Sequence, residues 1–70
     1  MSEPTSAELQ ETIDELKAYR QRLQDDVVAM GQKLKLPQAR INATLAEHPE
    51  LQRLDEVLTQ LASQLDAAAN

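Results

Sequence analysis

Apolar residues in the first half of the chain recur at alternating steps of four and three residues. This spacing is the a/d pattern of a heptad repeat, which gives a helix one narrow apolar stripe. The stripe, with Arg20 as its one polar member, comprises Leu9, Ile13, Leu16, Arg20, Leu23, Val27, Met30 and Leu34. Because such a stripe needs a second helix to cover it, the pattern predicts helix-on-helix packing.

A second stripe with similar spacing follows near the end of the chain. Its members are Leu51, Leu54, Leu58, Leu61, Leu65 and Ala68. Two stripes in one chain predict an all-α fold, a helical hairpin with heptad (coiled-coil-like) packing.

Local signals predict where the helices begin and end. Thr5 and Glu8 have the spacing of a capping box, which marks a helix start. Pro37 and Pro49 each suit the first position of a helix, where the missing N–H costs nothing. The predicted organisation is a flexible tail over 1–4 and a single helical domain over 5–70, with helices at about 5–35, 37–47 and 49–68.

Helix lengths favour a hairpin whose return arm is broken by proline into a short and a longer helix. The first helix spans about 45 Å, and the other two span about 16 and 30 Å. A compact three-helix bundle is the alternative. Gly31 either stops the first helix at Met30 or lies inside it, where a missing side chain lets another helix come close. Because Leu34 continues the stripe, we expect the helix to reach about Lys35.

Composition argues against catalysis and bound cofactors. The 70 residues include no Cys, one Gly and one aromatic residue, so thiol chemistry and glycine-rich phosphate loops are excluded. His48 is the one histidine, and beside Glu47 and Glu50 it lacks the convergent ligands of a zinc site. We therefore expect no enzyme, no metal and no cofactor, and interpret His48 as a solvated residue at a helix start.

Charge and hydropathy narrow the classes of partner. Twelve acidic and seven basic residues give a net charge of −5, which repels phosphate backbones and disfavours nucleic acid. No apolar run approaches the length needed to span a bilayer. The first residues lack the basic and apolar segments of a signal peptide, so we expect a cytoplasmic protein without membrane contact.

Arg20 is the unusual member of the first stripe. Its neighbours one helical turn away include no acidic residue, so an ionic partner would have to come from another helix or chain. One interpretation is that its methylenes cover the stripe while the guanidinium reaches water, and we expect this one. The other is a residue that specifies register or oligomeric state by pairing with a carboxylate such as Asp55, Glu56 or Asp66.

Further apolar residues lie outside both stripes, so the apolar surface is wider than one hairpin needs. The candidate interaction residues, from the first stripe and this surplus, are Leu9, Ile13, Leu16, Tyr19, Arg20, Leu23, Val27, Val28, Leu36 and Val57. These features indicate a non-catalytic, small acidic helical protein that forms a homodimer or higher homo-oligomer. It would bind a protein partner through a helix face, as an adaptor, regulator or assembly factor. The alternative is an acidic mimic that competes for a basic site on a partner.

Overall fold

The computed structural model describes residues 4–69, and within that range it contains three helices and no strand. They are α1 (Ser6–Lys33), α2 (Gln38–Glu47) and α3 (Pro49–Ala69). α1 packs mainly against α3, and α2 contacts both. The molecule measures 49 × 19 × 16 Å, so it is elongated and not a compact three-helix bundle. The predicted all-α hairpin with a proline-broken return arm is confirmed; the tail predicted for 1–4 lies, except for Pro4, outside the described residues.

The capping box at the start of α1 is confirmed. The Thr5 hydroxyl accepts a hydrogen bond from the Glu8 N–H at 3.1 Å, and the Glu8 carboxylate accepts from the Thr5 N–H at 3.4 Å. Two backbone donors that the helix itself cannot satisfy are therefore paired at its first turn.

α1 ends at Lys33, two residues before the expected position, and Gly31 lies inside the helix. Lys35 adopts the left-handed conformation, with φ at 59°. The Leu36 N–H donates to the Gly31 carbonyl at 2.9 Å, and the Lys35 N–H donates to the Gln32 carbonyl at 3.0 Å. These two bonds form a Schellman motif, which ends the helix although its left-handed residue is a lysine.

Prolines lie at both connections between helices, the turn of the hairpin and the break in the return arm. Pro37 lies immediately before α2 with φ at −59°, and Pro49 is the first residue of α3. His48, between α2 and α3, is half-buried, and its Nδ1 accepts from the Leu51 N–H at 3.4 Å. We expected a solvated residue at a helix start. His48 does precede the start of α3, but its side chain is half-buried and caps that helix.

The core is small. Its buried apolar side chains are Leu9, Ile13, Ile41, Leu51 and Leu54. Met30 and Leu34 belong to the first stripe, yet they are 57% and 62% exposed. A straight α-helix drifts by about 20° per heptad, so a strict seven-residue repeat leaves the contact face after several turns. The stripe therefore does not keep its contact with the return arm at the end of α1.

Candidate partner-binding groove

An open apolar groove of about 380 Å³ lies between the end of α1 and α2. We call it the corner groove. Its lining residues are Asp26, Val27, Met30, Gly31, Leu34, Leu36, Ile41 and Thr44. Among these, Asp26 and Thr44 are the polar members, so the lining is suited to burying an apolar side chain of a ligand.

The close approach of α2 to α1 depends on Gly31. The point where a β-carbon would stand on Gly31 is 2.6 Å from Cγ1 and 2.9 Å from Cδ1 of Ile41. Ile41 is 2% exposed, so its side chain fills the space that glycine leaves. α2 thus contacts α1 at Gly31, and the neighbouring Met30 stays exposed at the groove.

The structure separates the ten predicted interaction residues. Leu9 and Ile13 are buried, and Tyr19 is 39% exposed. The half-buried members are Leu16, Arg20, Leu23, Val27, Val28, Leu36 and Val57. Val27 and Leu36 come together in the corner groove, whereas the other eight do not line it.

The sequence interpretation missed the two most exposed apolar residues of the groove. It placed Met30 and Leu34 on the stripe that packs inside the hairpin, but both lie outside that contact. The available signal was Gly31, because a glycine inside a strong helix pattern marks a close approach of another element. Because α2 approaches α1 at Gly31, which is not a member of the stripe, this contact does not cover Met30 and Leu34.

Arg20 pairs across the hairpin instead of lying unpaired in water. Its Nε is 2.6 Å from Oδ1 of Asp55, and its Nη1 donates to Oε1 of Gln24 at 2.9 Å. The side chains of Arg20 and Asp55 are 32% and 57% exposed, so the pair is partly solvated. A partly solvated pair of this kind adds little stability.

A second polar contact links the same two helices. The Tyr19 hydroxyl donates a hydrogen bond to the Glu50 carboxylate. This bond, together with the negative charge of Glu50, raises the pKa of Tyr19 above its ordinary value of 10.0. Tyr19 and Arg20 are consecutive, so two adjacent residues of α1 each bind a carboxylate of α3.

Two further features concern metal ligands and membrane spans among the described residues. Across residues 4–69, no three His, Cys, Asp or Glu side chains are grouped to hold a metal ion. In the same part of the chain, no helix is both long and apolar enough to cross a membrane.

Comparison with known proteins identifies a family for the chain. No curated protein and no solved structure matches it. One family matches residues 7–70, which is nearly the whole sequence and covers all of α2 and α3. The chain therefore belongs to the family described as "Domain of unknown function (DUF8630)".

Proposed function

We propose that this is a non-catalytic interaction protein that binds an amphipathic helix of another protein in the corner groove. The observation that carries the proposal is the exposure of Met30 and Leu34, at 57% and 62%, in an apolar groove. Clustered exposed apolar residues typically mark protein-binding surfaces. Met is also common at binding surfaces because its flexible side chain adapts to different partners.

The shape of the groove favours a helix as the occupant. Its sides are the end of α1 and α2, so the ligand meets two helices across an apolar floor. Helix-in-groove recognition uses apolar residues spaced i, i+3, i+4 and i+7, and a face of this kind can cover Met30 and Leu34 together. Asp26 is the one titratable side chain of the lining, so the groove supports binding and offers no pair of groups for acid–base chemistry.

A designed peptide tests the proposal. We would titrate the protein with a helical peptide that carries leucines at i, i+3, i+4 and i+7 and neutral residues elsewhere. The double variant Met30→Ser/Leu34→Ser should lose at least about tenfold in affinity, because it removes two apolar contacts. Tyr19→Gln is the matched control, since it replaces an exposed apolar residue outside the groove and should bind normally. Equal binding by all three proteins would contradict the proposal.

Self-association is a second candidate, supported by the small core. Leu58, Leu61 and Leu65 of α3 are only half-buried in the single chain. Chains of this size often gain stability from a partner that covers such residues. Sedimentation velocity from low to high micromolar concentration tests it: a concentration-dependent dimer supports self-association, and a folded monomer throughout contradicts it.

A competing proposal uses the opposite end of the molecule. Glu8, Glu11, Asp14 and Glu15 are all exposed on the first turns of α1, which supports an acidic mimic that occupies a basic site. Binding of that kind weakens strongly with salt and is unaffected by Met30→Ser/Leu34→Ser. Those two measurements separate it from binding in the corner groove.

A further inference from the structure

We infer that the occupant of the corner groove carries acidic residues on the flank that lies over the connection between α1 and α2. This inference rests on the proposed function and adds the chemistry of the partner. It follows from the basic residues next in sequence to the groove lining, from the position of Asp26, and from what a second copy of this chain would present.

The connection between α1 and α2 is basic within an acidic protein. Residues 31–41 contain Lys33, Lys35 and Arg40 and no acidic residue, although the chain has a net charge of −5. Each of the three basic residues is next in sequence to a residue that lines the groove. All three are exposed, and we call them the basic rim because each adjoins a lining residue in sequence.

Among the described residues, none of these three side chains forms an ion pair, and Lys33 lies in the last turn of α1, where a positive charge is favourable. The ion pairs of the described residues are Arg20 with Asp55 and Arg53 with Glu56, and neither involves the basic rim. Positive charges beside an apolar groove attract an acidic ligand and disfavour a basic one. Among the amphipathic helices that the apolar floor can bind, the basic rim therefore favours those with acidic flanking residues.

Asp26 sets the direction of the ligand. It lines the groove on α1, one helical turn before Met30, whereas the basic residues follow Gly31. A carboxylate of the ligand near Asp26 would be repelled, and one near Lys33 or Arg40 would be attracted. The start of α2 also favours a carboxylate of the ligand at this end of the groove, because Pro37 provides no side-chain cap and the first turn carries no acidic residue.

A second copy of the chain fits the groove less well than a different protein. If two copies faced each other through their corner grooves, the basic residues of one copy would lie close to the same basic residues of the other and repel them. The acidic first turns of α1 in a second copy have the right charge, but their apolar residues Leu9 and Ile13 are buried. Among the described residues, the large apolar side chains that stay exposed are Tyr19, Met30 and Leu34, so the acidic turns supply no anchor.

Three helical peptides test the inference. They share the same leucine spacing and differ only in the residues flanking it, which are Glu, Gln or Lys. Calorimetric titration at low salt should show that the Glu peptide binds about tenfold more tightly than the Lys peptide, with the Gln peptide between them. The preference should reverse in the variant Lys33→Glu/Arg40→Glu, which leaves the Schellman residue Lys35 unchanged.

The control variant is Lys17→Glu/Arg53→Glu, which makes the same change in charge at exposed positions outside the groove. It should keep most of the preference for the Glu peptide. Equal binding of all three peptides, or the same loss of preference in both variants, would overturn the acidic-ligand inference while leaving the groove as a binding site. Failure of every peptide to bind would overturn the proposed function as well. Self-association abolished by Met30→Ser/Leu34→Ser would place a second copy in the groove and also overturn the inference.

Discussion

Cγ1 of Ile41 lies 2.6 Å from the point where a β-carbon would stand on Gly31. Real β-carbons essentially never come that close to another atom, so a side chain at position 31 would require Ile41 to shift. The contact buries Ile41 and leaves Met30 and Leu34 exposed at the groove. Glycine at position 31 thus permits the close packing of Ile41 against α1 beside the apolar groove.

Gly31→Ala should destabilise the protein by about 1–2 kcal/mol. The new methyl group collides with Ile41, which costs about 1–3 kcal/mol, whereas the better helix propensity of alanine returns up to about 1 kcal/mol. In an Ile41→Ala background the collision is gone, so the same substitution should become neutral or stabilising. Urea unfolding of the four proteins measures this change of sign. Equal destabilisation in both backgrounds would show that the collision is not the cause.

Lys35→Gly should stabilise the protein by about 0.5–1 kcal/mol. Lys35 is held with φ at 59°, a conformation that costs a residue with a side chain about 1 kcal/mol and costs glycine little. Lys33→Gly is the matched control, because Lys33 is the last helical residue and glycine there should destabilise. Thermal unfolding of both variants tests the pair, and destabilisation by Lys35→Gly would contradict the left-handed assignment.

The Tyr19–Glu50 hydrogen bond makes stability depend on alkaline pH. The pKa of Tyr19 is raised in the folded protein, so the folded state keeps the phenol proton better than the unfolded state. Its contribution is fully present below pH 10.0, the ordinary value, and is lost as the pH rises through the folded pKa. As the pH rises above 10.0, the free energy of unfolding of Tyr19→Phe should fall less than that of the wild type.

Absorbance titration observes the same group directly, because Tyr19 is the one tyrosine of the chain. The wild-type midpoint should lie above 10.0. Glu50→Gln should bring it down, since it removes the negative charge beside the hydroxyl. Glu47→Gln is the control and should leave the midpoint in place. A wild-type midpoint at or below the ordinary value would contradict the hydrogen bond.

The Arg20–Asp55 pair should show a small, salt-sensitive coupling. In a double-mutant cycle of Arg20→Gln and Asp55→Asn, we expect a coupling of about 0.2–1 kcal/mol in the free energy of unfolding, because both side chains are partly solvated. Raising the salt concentration to about 1 M should reduce it. A coupling of zero at low salt would contradict this prediction.

Local signals in the sequence were sufficient for much of the fold. The capping box of Thr5 and Glu8 depends on residues three apart, and the break before Pro49 depends on the geometry of one residue. The first two members of each stripe are buried, whereas the later members are half-buried or exposed. The capping box and the break are determined by neighbours in the chain, so the helices and the broken return arm could be predicted.

Features that depend on tertiary position could not be predicted in the same way. Lysine rarely adopts the left-handed conformation, so nothing in the sequence marked Lys35 as the left-handed residue that follows α1, and the predicted helix end lay two residues beyond Lys33. Heptad stripes permit several registers, so the partner of Arg20 stayed open among three carboxylates. The corner groove depends on where α2 meets α1. The stripe predicted that Met30 and Leu34 lie inside the contact between the helices, but α2 contacts α1 at Gly31 and both residues stay exposed.

Mapping the bound peptide on the protein is the most direct test of the corner groove. Nitrogen-15-labelled protein would be titrated with the Glu-flanked peptide while backbone amide chemical shifts are recorded. The account predicts the largest shifts at Val27, Met30, Gly31, Leu36 and Ile41, with little change at Leu9 and Leu65. Shifts concentrated instead on the first turns of α1 and the last turns of α3 would contradict it.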